Sequence, residues 1–273
     1  MKFGYPTITW GGVTGTPGGI TSIKDSFYRT NGDTAEALSD ISAAGFTGTE
    51  LFDGNLLDFE ETPDTLLGLL EAAKLDLVSV YTGANFIYPD ILGDEFHKIE
   101  RAAQLAQRFG AERLVFGGGA QRFGGAHPED IRSLATGLDR AAEIADSFGL
   151  EASYHPHLGT LVEGPEALIE LMEISTIDFC PDTAHLAAGG GDPVALIEQF
   201  SDRVAHVHLK DWDPGTGRFL PLGEGVLDFP AIVRALSKSG YDSWLMVELD
   251  YYDGHPRTAA EISKRYLETL FPS

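Results

Sequence analysis

The sequence has little cysteine and little positive charge. Only one of its 273 residues, Cys180, is a cysteine, so no intrachain disulfide can form. That composition suits the cytoplasm, where thiols stay reduced. The 42 acidic residues outnumber the 19 basic ones and give a formal net charge of -23. A surface this negative repels phosphate backbones and anionic lipids, which argues against nucleic acid and membranes as partners.

Long apolar runs are also missing. No segment approaches the roughly 18 apolar residues that a membrane-spanning helix needs. The first residues, MKFGYPTITW, lack the long apolar segment of a signal peptide. We therefore expect a cytoplasmic protein with no membrane span. Hydrophobic residues still make up 43% of the chain, which is enough to form a large core.

Short apolar runs alternate with amphipathic segments along the whole chain. The runs predict eight strands, at residues 2–10, 46–52, 75–83, 112–119, 150–155, 176–182, 203–210 and 243–250. Parallel strands require long crossovers, which are usually helices. Eight strand–helix units therefore predict an α/β fold, a (β/α)8 TIM barrel that forms a single domain over residues 1–273. An open doubly wound sheet is the alternative, but no GxGxxG follows the first strand.

Two glycine-rich segments and one helix start stand out locally. The segment GGVTGTPGG follows the first strand, and GGGAQRFGG follows the fourth. The second is weak evidence for phosphate binding, and both an active-site loop and a plain connector remain open for it. Asp33 and Glu36 bracket a helix start that resembles a capping box, and Pro63 suits the first turn of a later helix.

Polar residues end most of the predicted strands, where a (β/α)8 barrel carries its chemistry. They are Glu50, His155, His157, Asp182, His185, His206, His208, Lys210, Glu248 and Asp250. Residues two apart on a strand share a face, so His155 and His157 point the same way. Each residue alone has an ordinary structural explanation, a satisfied histidine or a salt-bridged carboxylate. Together they predict a divalent metal site, because mixed nitrogen and oxygen ligands suit Mn²⁺, Zn²⁺ or Co²⁺.

Five segments resemble the sugar phosphate isomerase/epimerase superfamily, the xylose-isomerase-like TIM barrels. They are YHPHLGTLVEGPE, CPDTAHLAAGGGDP, HVHLKDW, PLGEGVLDF and VELD. Within the superfamily they are most similar to inosose dehydratases, and they also resemble keto-glycoside lyases and C-glycoside deglycosidase catalytic subunits. The resemblance covers essentially the whole chain. It implies one divalent ion, with Mn²⁺ as the first choice and Co²⁺ or Zn²⁺ as alternatives.

The resemblance also implies a ligand set. The family binds its metal through a Glu, an Asp, a His and a second Glu from strands five to eight, and the last three match Asp182, His208 and Glu248. Strand five departs from the pattern, because HPH stands where the family has glutamate. His155 then takes the ligand position and His157 faces substrate.

That departure favours elimination over epimerisation. Family epimerases use two carboxylates on opposite faces of the substrate, whereas an elimination needs one base and one acid. We therefore expect a metal-dependent lyase or dehydratase that acts on a keto-sugar or keto-cyclitol; the alternative is a keto-sugar epimerase or isomerase. His157 is the first candidate base and Glu248 its rival. His185 and Lys210 orient substrate or protonate the leaving group, unless Lys210 is a structural partner of Asp211.

Further residues are candidates for substrate binding. Glu50 is expected to hold a sugar hydroxyl or to form a structural salt bridge, and the Asn85 amide to bind a hydroxyl. The apolar walls would come from Trp10, Tyr81, Phe86 and Trp212, each of which could instead be core. Relatives imply a homo-oligomer, in some cases with a small second subunit. The negative charge argues against a nuclease of the endonuclease IV type, and a non-catalytic barrel subunit remains open.

Overall fold

The computed structural model describes residues 1–10, 13–14 and 26–271, so most of the glycine-rich segment at 11–19 lies outside the described residues. Eight parallel strands form one sheet. They are β1 (Lys2–Gly4), β2 (Gly48–Phe52), β3 (Asp76–Ala84), β4 (Arg113–Gly118), β5 (Glu151–Tyr154), β6 (Asp178–Phe179), β7 (His208–Leu209) and β8 (Trp244–Val247). Their order is β6-β5-β4-β3-β2-β1-β8-β7.

Two isolated parallel bridges join the ends of this sheet. Phe179 pairs with Val204, and Asp182 pairs with His208. The His208 amide donates to the carbonyl of Pro181 at 2.9 Å, which reinforces the second bridge. The sheet therefore closes on itself, so the predicted (β/α)8 barrel is confirmed and the open sheet is excluded.

Helices cover the outside of the barrel. They are α1 (Thr34–Ala43), α2 (Asp53–Leu57), α3 (Pro63–Ala73), α4 (Leu92–Arg108), α5 (Asp130–Ser147), α6 (Pro165–Ile174), α7 (Thr183–Ala188), α8 (Pro193–Gln199), α9 (Phe229–Lys238) and α10 (Pro256–Leu270). Because helices shield the outer face and side chains fill the interior, every residue of β2 is buried. No helix in the described part of the chain combines the length and apolar character needed to cross a bilayer.

The local signals at helix starts are confirmed, and the first strand is shorter than predicted. The Asp33 side chain accepts a hydrogen bond from the Glu36 amide and so caps α1, and Pro63 is in the first turn of α3. The predicted strand at 2–10 is extended only in β1, and Thr7–Trp10 form a 3-10 turn instead. Two short antiparallel ladders lie outside the eight-stranded sheet. Val13–Thr14 pairs with Arg29–Thr30, and Asp211–Asp213 pairs with Arg218–Leu220.

Candidate metal centre and active site

Four buried side chains meet at the carboxyl ends of four successive strands. His155 follows β5, Asp182 follows β6, His208 lies in β7 and Glu248 follows β8. One nitrogen or oxygen atom from each lies within 4.8 Å of the others. The structure thus brings together the four residues that the family resemblance implies as ligands, and the spacing accommodates a single ion.

His155 and Asp182 supply the test of whether this group suits a cation. The His155 side chain is 1% exposed, yet neither of its ring nitrogens has a hydrogen-bond partner. An unpartnered buried polar group is costly, and a metal ion would supply the missing partner. Asp182 Oδ1 accepts from the amides of Ala184 and His185, which leaves Oδ2 facing His155 Nε2 at 3.5 Å. Two imidazoles and two carboxylates therefore fit a divalent cation such as Zn²⁺ or Mn²⁺.

Lys210 lies among the carboxylates of this cluster. Its Nζ is 2.7 Å from Glu248 Oε1, 3.0 Å from Asp250 Oδ2 and 3.3 Å from Asp182 Oδ2. It also donates to His185 Nε2 at 3.2 Å. Burial alone would lower the pKa of Lys210, but the three carboxylates, Asp182 foremost, raise it well above its usual value. Lys210 is therefore a protonated ammonium in the strand-end cluster near pH 7.

Asp211 is not the partner of Lys210. Its carboxylate instead accepts from the backbone amides of Trp212, Gly223 and Gly225 at 2.8–2.9 Å. These bonds fix the loop between β7 and α9. Trp212 is half-buried and lies in the short antiparallel hairpin that Asp211–Asp213 and Arg218–Leu220 form within this loop. The same hairpin carries Phe219, which the sequence analysis missed; its ring centroid lies 4.9 Å from Lys210 Nζ and from the His185 ring.

His157 and His185 stack beside the cluster, with ring centroids 3.8 Å apart. His157 Nδ1 lies 2.7 Å from the Leu158 carbonyl, so this nitrogen carries the proton and Nε2 is left as an acceptor. Burial, reinforced by His155 and Lys210, lowers the pKa of His157. Burial and Lys210 also hold the pKa of His185 well below its usual value. Both rings are therefore neutral near pH 7, which is the state that a general base requires.

A cavity of ≈ 320 Å³ opens beside these groups. It is lined by Ile8, Tyr28, Phe52, Tyr81, His155, His157, Glu248 and Asp250. The volume is at the lower end of the range of small-molecule sites, about 300–1,000 Å³. Tyr81 is the predicted aromatic wall that the structure places here, whereas Tyr28 and Phe52 were not predicted. The lining therefore combines aliphatic and aromatic side chains with two imidazoles and two carboxylates.

Three predicted substrate contacts lie elsewhere. The Trp10 indole donates to Asp40 Oδ2 at 3.1 Å, and its ring packs in the core. The Asn85 side chain donates to Glu95 Oε1 at 2.8 Å. Phe86 is fully buried and packs on α5. Among the described residues, Trp10, Asn85 and Phe86 do not line the cavity, and neither does the predicted contact Trp212; we do not carry the first three into the proposed substrate site.

For Glu50 the structure favours the second of the two expected roles, the structural salt bridge. Glu50 is 1% exposed, and its Oε2 accepts from Ser79 Oγ at 2.6 Å. The same oxygen lies 3.3 Å from His208 Nε2 and 3.6 Å from His206 Nε2. Burial alone would raise the pKa of Glu50, but the two histidines, His208 foremost, lower it to about 2. Glu50 is thus an ionised carboxylate beneath the cluster, and it contacts histidines rather than the cavity.

The position of Tyr81 depends on a glycine near the end of β4. A Cβ added at Gly117 would lie 1.8 Å from the Tyr81 hydroxyl oxygen. We expect Gly117→Ala to push Tyr81 out of the cavity wall, to cost about 1–3 kcal/mol of stability through overpacking, and to raise KM. Urea unfolding and steady-state kinetics measure the two effects. Gly124→Ala is the matched control, because no heavy atom lies within 4 Å of its added Cβ; equal effects of the two variants would contradict the packing argument.

Comparisons with known proteins identify the family and agree with the barrel fold. The profile of the family described as xylose isomerase-like TIM barrel matches residues 38–270. An inosose dehydratase of Geobacillus kaustophilus (strain HTA426) is 30% identical over 270 residues, which cover 86% of each chain. The structure of the IOLI protein with a binding zinc atom has a TM-score of 0.75 at 16% identity, with 99% of this chain and 98% of that one covered. For the 3-keto-D-glucoside 4-epimerase YcjR from E. coli the TM-score is 0.72 at 16% identity, with 98% and 99% covered.

Proposed function

Because the chain belongs to the xylose isomerase-like TIM barrel family, we propose that it is a divalent-metal-dependent lyase or dehydratase that acts on a keto-sugar or keto-cyclitol. Similarity to an inosose dehydratase over most of both chains supports a carbohydrate-modifying enzyme of the dehydratase type. The two structural neighbours support the fold alone, because they are 16% identical to this chain.

The histidine pair after β5 is the observation that carries the proposal. His155 belongs to the four-residue cluster, and His157 lines the cavity with a free Nε2. Glu248 is a weaker candidate for the base. Burial alone would raise its pKa, but Lys210 and His208 hold it well below the usual value. One strand end therefore provides both a ligand and a neutral base.

Different residues carry out the separate steps of the proposed reaction. His155, Asp182, His208 and Glu248 would hold the ion, whose Lewis acidity would make the C–H bond next to a ketone more acidic. His157 Nε2 removes the proton from that carbon. The electron pair of the broken C–H bond forms a carbon–carbon double bond and expels the β-oxygen. The leaving oxygen takes a proton from the Lys210 ammonium and departs as water or an alcohol.

Incubation with keto-inositols and 3-keto-glycosides in D₂O tests this function. We expect mass spectrometry to show a product that has lost water, or that has released its aglycone. Uptake of deuterium into a product of unchanged composition would instead support the epimerase or isomerase. Mn²⁺ as the native ion and assembly into a homo-oligomer, with or without a second subunit, stay predictions for metal analysis and light scattering.

A further inference from the structure

Glu50 is a buried charge for which the proposed reaction has no use. It lies on β2, away from the strands that supply the ligands, and it is not among the described residues that line the cavity. Ionising a buried carboxylate is costly unless hydrogen-bond donors surround it. The donors here are the Ser79 hydroxyl and the His208 imidazole, and the His206 ring lies close by at 3.6 Å, so the carboxylate is built into a network.

The two ring nitrogens of His208 face opposite ways. Nδ1 makes a short contact with Glu248, one of the four clustered residues. Nε2 lies 3.3 Å from Glu50 Oε2. A neutral imidazole carries one proton, so a ring that offers the Nδ1 lone pair to a cation must place its proton on Nε2. That proton needs an acceptor in a buried site, and Glu50 is within hydrogen-bond distance.

We propose that Glu50 is a positioning residue for metal binding, which accepts the Nε2 proton of His208 and so fixes Nδ1 as the ligand atom. Carboxylates that orient a ligating histidine in this way fix its tautomer and its ring orientation. Ser79 on β3, which donates to the same oxygen, holds the Glu50 carboxylate in place at 2.6 Å. His206 lies on its other side, at 3.6 Å. The inference rests on the metal-binding part of the proposed function.

Glu50→Gln in the full chain tests the inference, because glutamine keeps the size of the side chain and removes its charge. Protein loaded with Mn²⁺ is challenged with a chelator to measure affinity, and we expect an affinity about 10–100-fold weaker than that of the wild type. In Co²⁺-loaded protein, proton NMR should show a shifted, slowly exchanging N–H signal from His208 Nε2. The same signal should move or exchange rapidly in Glu50→Gln.

Glu95→Gln is the matched control. Glu95 is also a buried glutamate, but it accepts from the amides of Asn85 and Phe86 outside the cluster. We expect this variant to lose stability while its Mn²⁺ affinity stays that of the wild type. If Glu50→Gln does not fold, Ser79→Ala replaces it, and a several-fold weaker affinity is expected.

The remaining outcomes of these experiments distinguish failure of the positioning role of Glu50 from failure of the proposed function. Folded Glu50→Gln, or Ser79→Ala in its place, with wild-type affinity and an unchanged N–H signal would overturn the positioning role. A raised KM with unchanged affinity would make Glu50 a substrate contact. Wild-type protein that binds Mn²⁺ but only epimerises its substrate would refute the lyase and leave the role of Glu50 intact. Wild-type protein that binds no divalent ion would refute both.

Discussion

Asp182→Asn is expected to abolish metal binding and to lower turnover by about 1,000-fold, because a Lewis acid worth several kcal/mol is lost. Asp182 has two separate roles in the structure. Its Oδ1 accepts from the amides of Ala184 and His185 at 2.9 and 2.8 Å and so caps α7. Its Oδ2 faces His155 Nε2 and Lys210 Nζ. Asparagine keeps an oxygen for the cap but brings no negative charge to the ion.

The same chain offers a control for the cap. Asp192 caps α8 in the same manner, with Oδ1 accepting from Val194 and Ala195 at 2.9 and 3.3 Å, but it is exposed and belongs to no ligand cluster in the described structure. Asp192→Asn should therefore keep its metal and its activity. Elemental analysis after gel filtration in Mn²⁺ measures occupancy, and circular dichroism checks the fold. Full occupancy in Asp182→Asn would contradict its assignment as a ligand.

The convergence of polar residues from successive strand ends could be predicted from the sequence because it follows from topology. Once eight strand–helix units are recognised, residues at the ends of neighbouring strands must converge. Asp182 and His208 illustrate this, since they are distant in sequence and form a parallel bridge. Strand alternation likewise predicted that His155 and His157 share a face; both lie just beyond the end of β5, and their ring centroids are 5.9 Å apart.

The cavity wall could not be predicted in the same way, because long-range polar contacts determine it. Tyr28 precedes a two-residue strand and has no periodic signal. Its place is set by Asp53, which accepts from its amide at 2.7 Å, and by Lys98, which donates to the carbonyl of Ser26 at 3.0 Å. Trp10 is the opposite case, a residue predicted at the cavity that lies elsewhere. No local sequence pattern reveals that its indole donates a hydrogen bond to Asp40 on α1.

The two histidines after β5 should separate metal binding from proton transfer. His155→Ala is expected to lose both metal and turnover, because this buried ring is part of the ligand cluster. His157→Ala should keep its metal and lose about 10²–10⁴-fold in turnover, the usual contribution of a general base. Metal occupancy and kcat are measured on the same preparations. His97→Ala is the control, since that side chain is exposed and belongs to none of the candidate metal groups in the described structure.

The comparison is sharp because the two positions share one strand end. If His155→Ala kept full metal occupancy, the ligand assignment on β5 would be wrong, and the argument that elimination replaces epimerisation would lose its basis. If His157→Ala kept wild-type turnover, the base would have to be sought elsewhere. Glu248 would be the next candidate, although Lys210 Nζ lies 2.7 Å from it and stabilises its ionised form. Loss of turnover with retained metal would assign proton abstraction to the neutral imidazole whose Nδ1 proton is fixed by the Leu158 carbonyl.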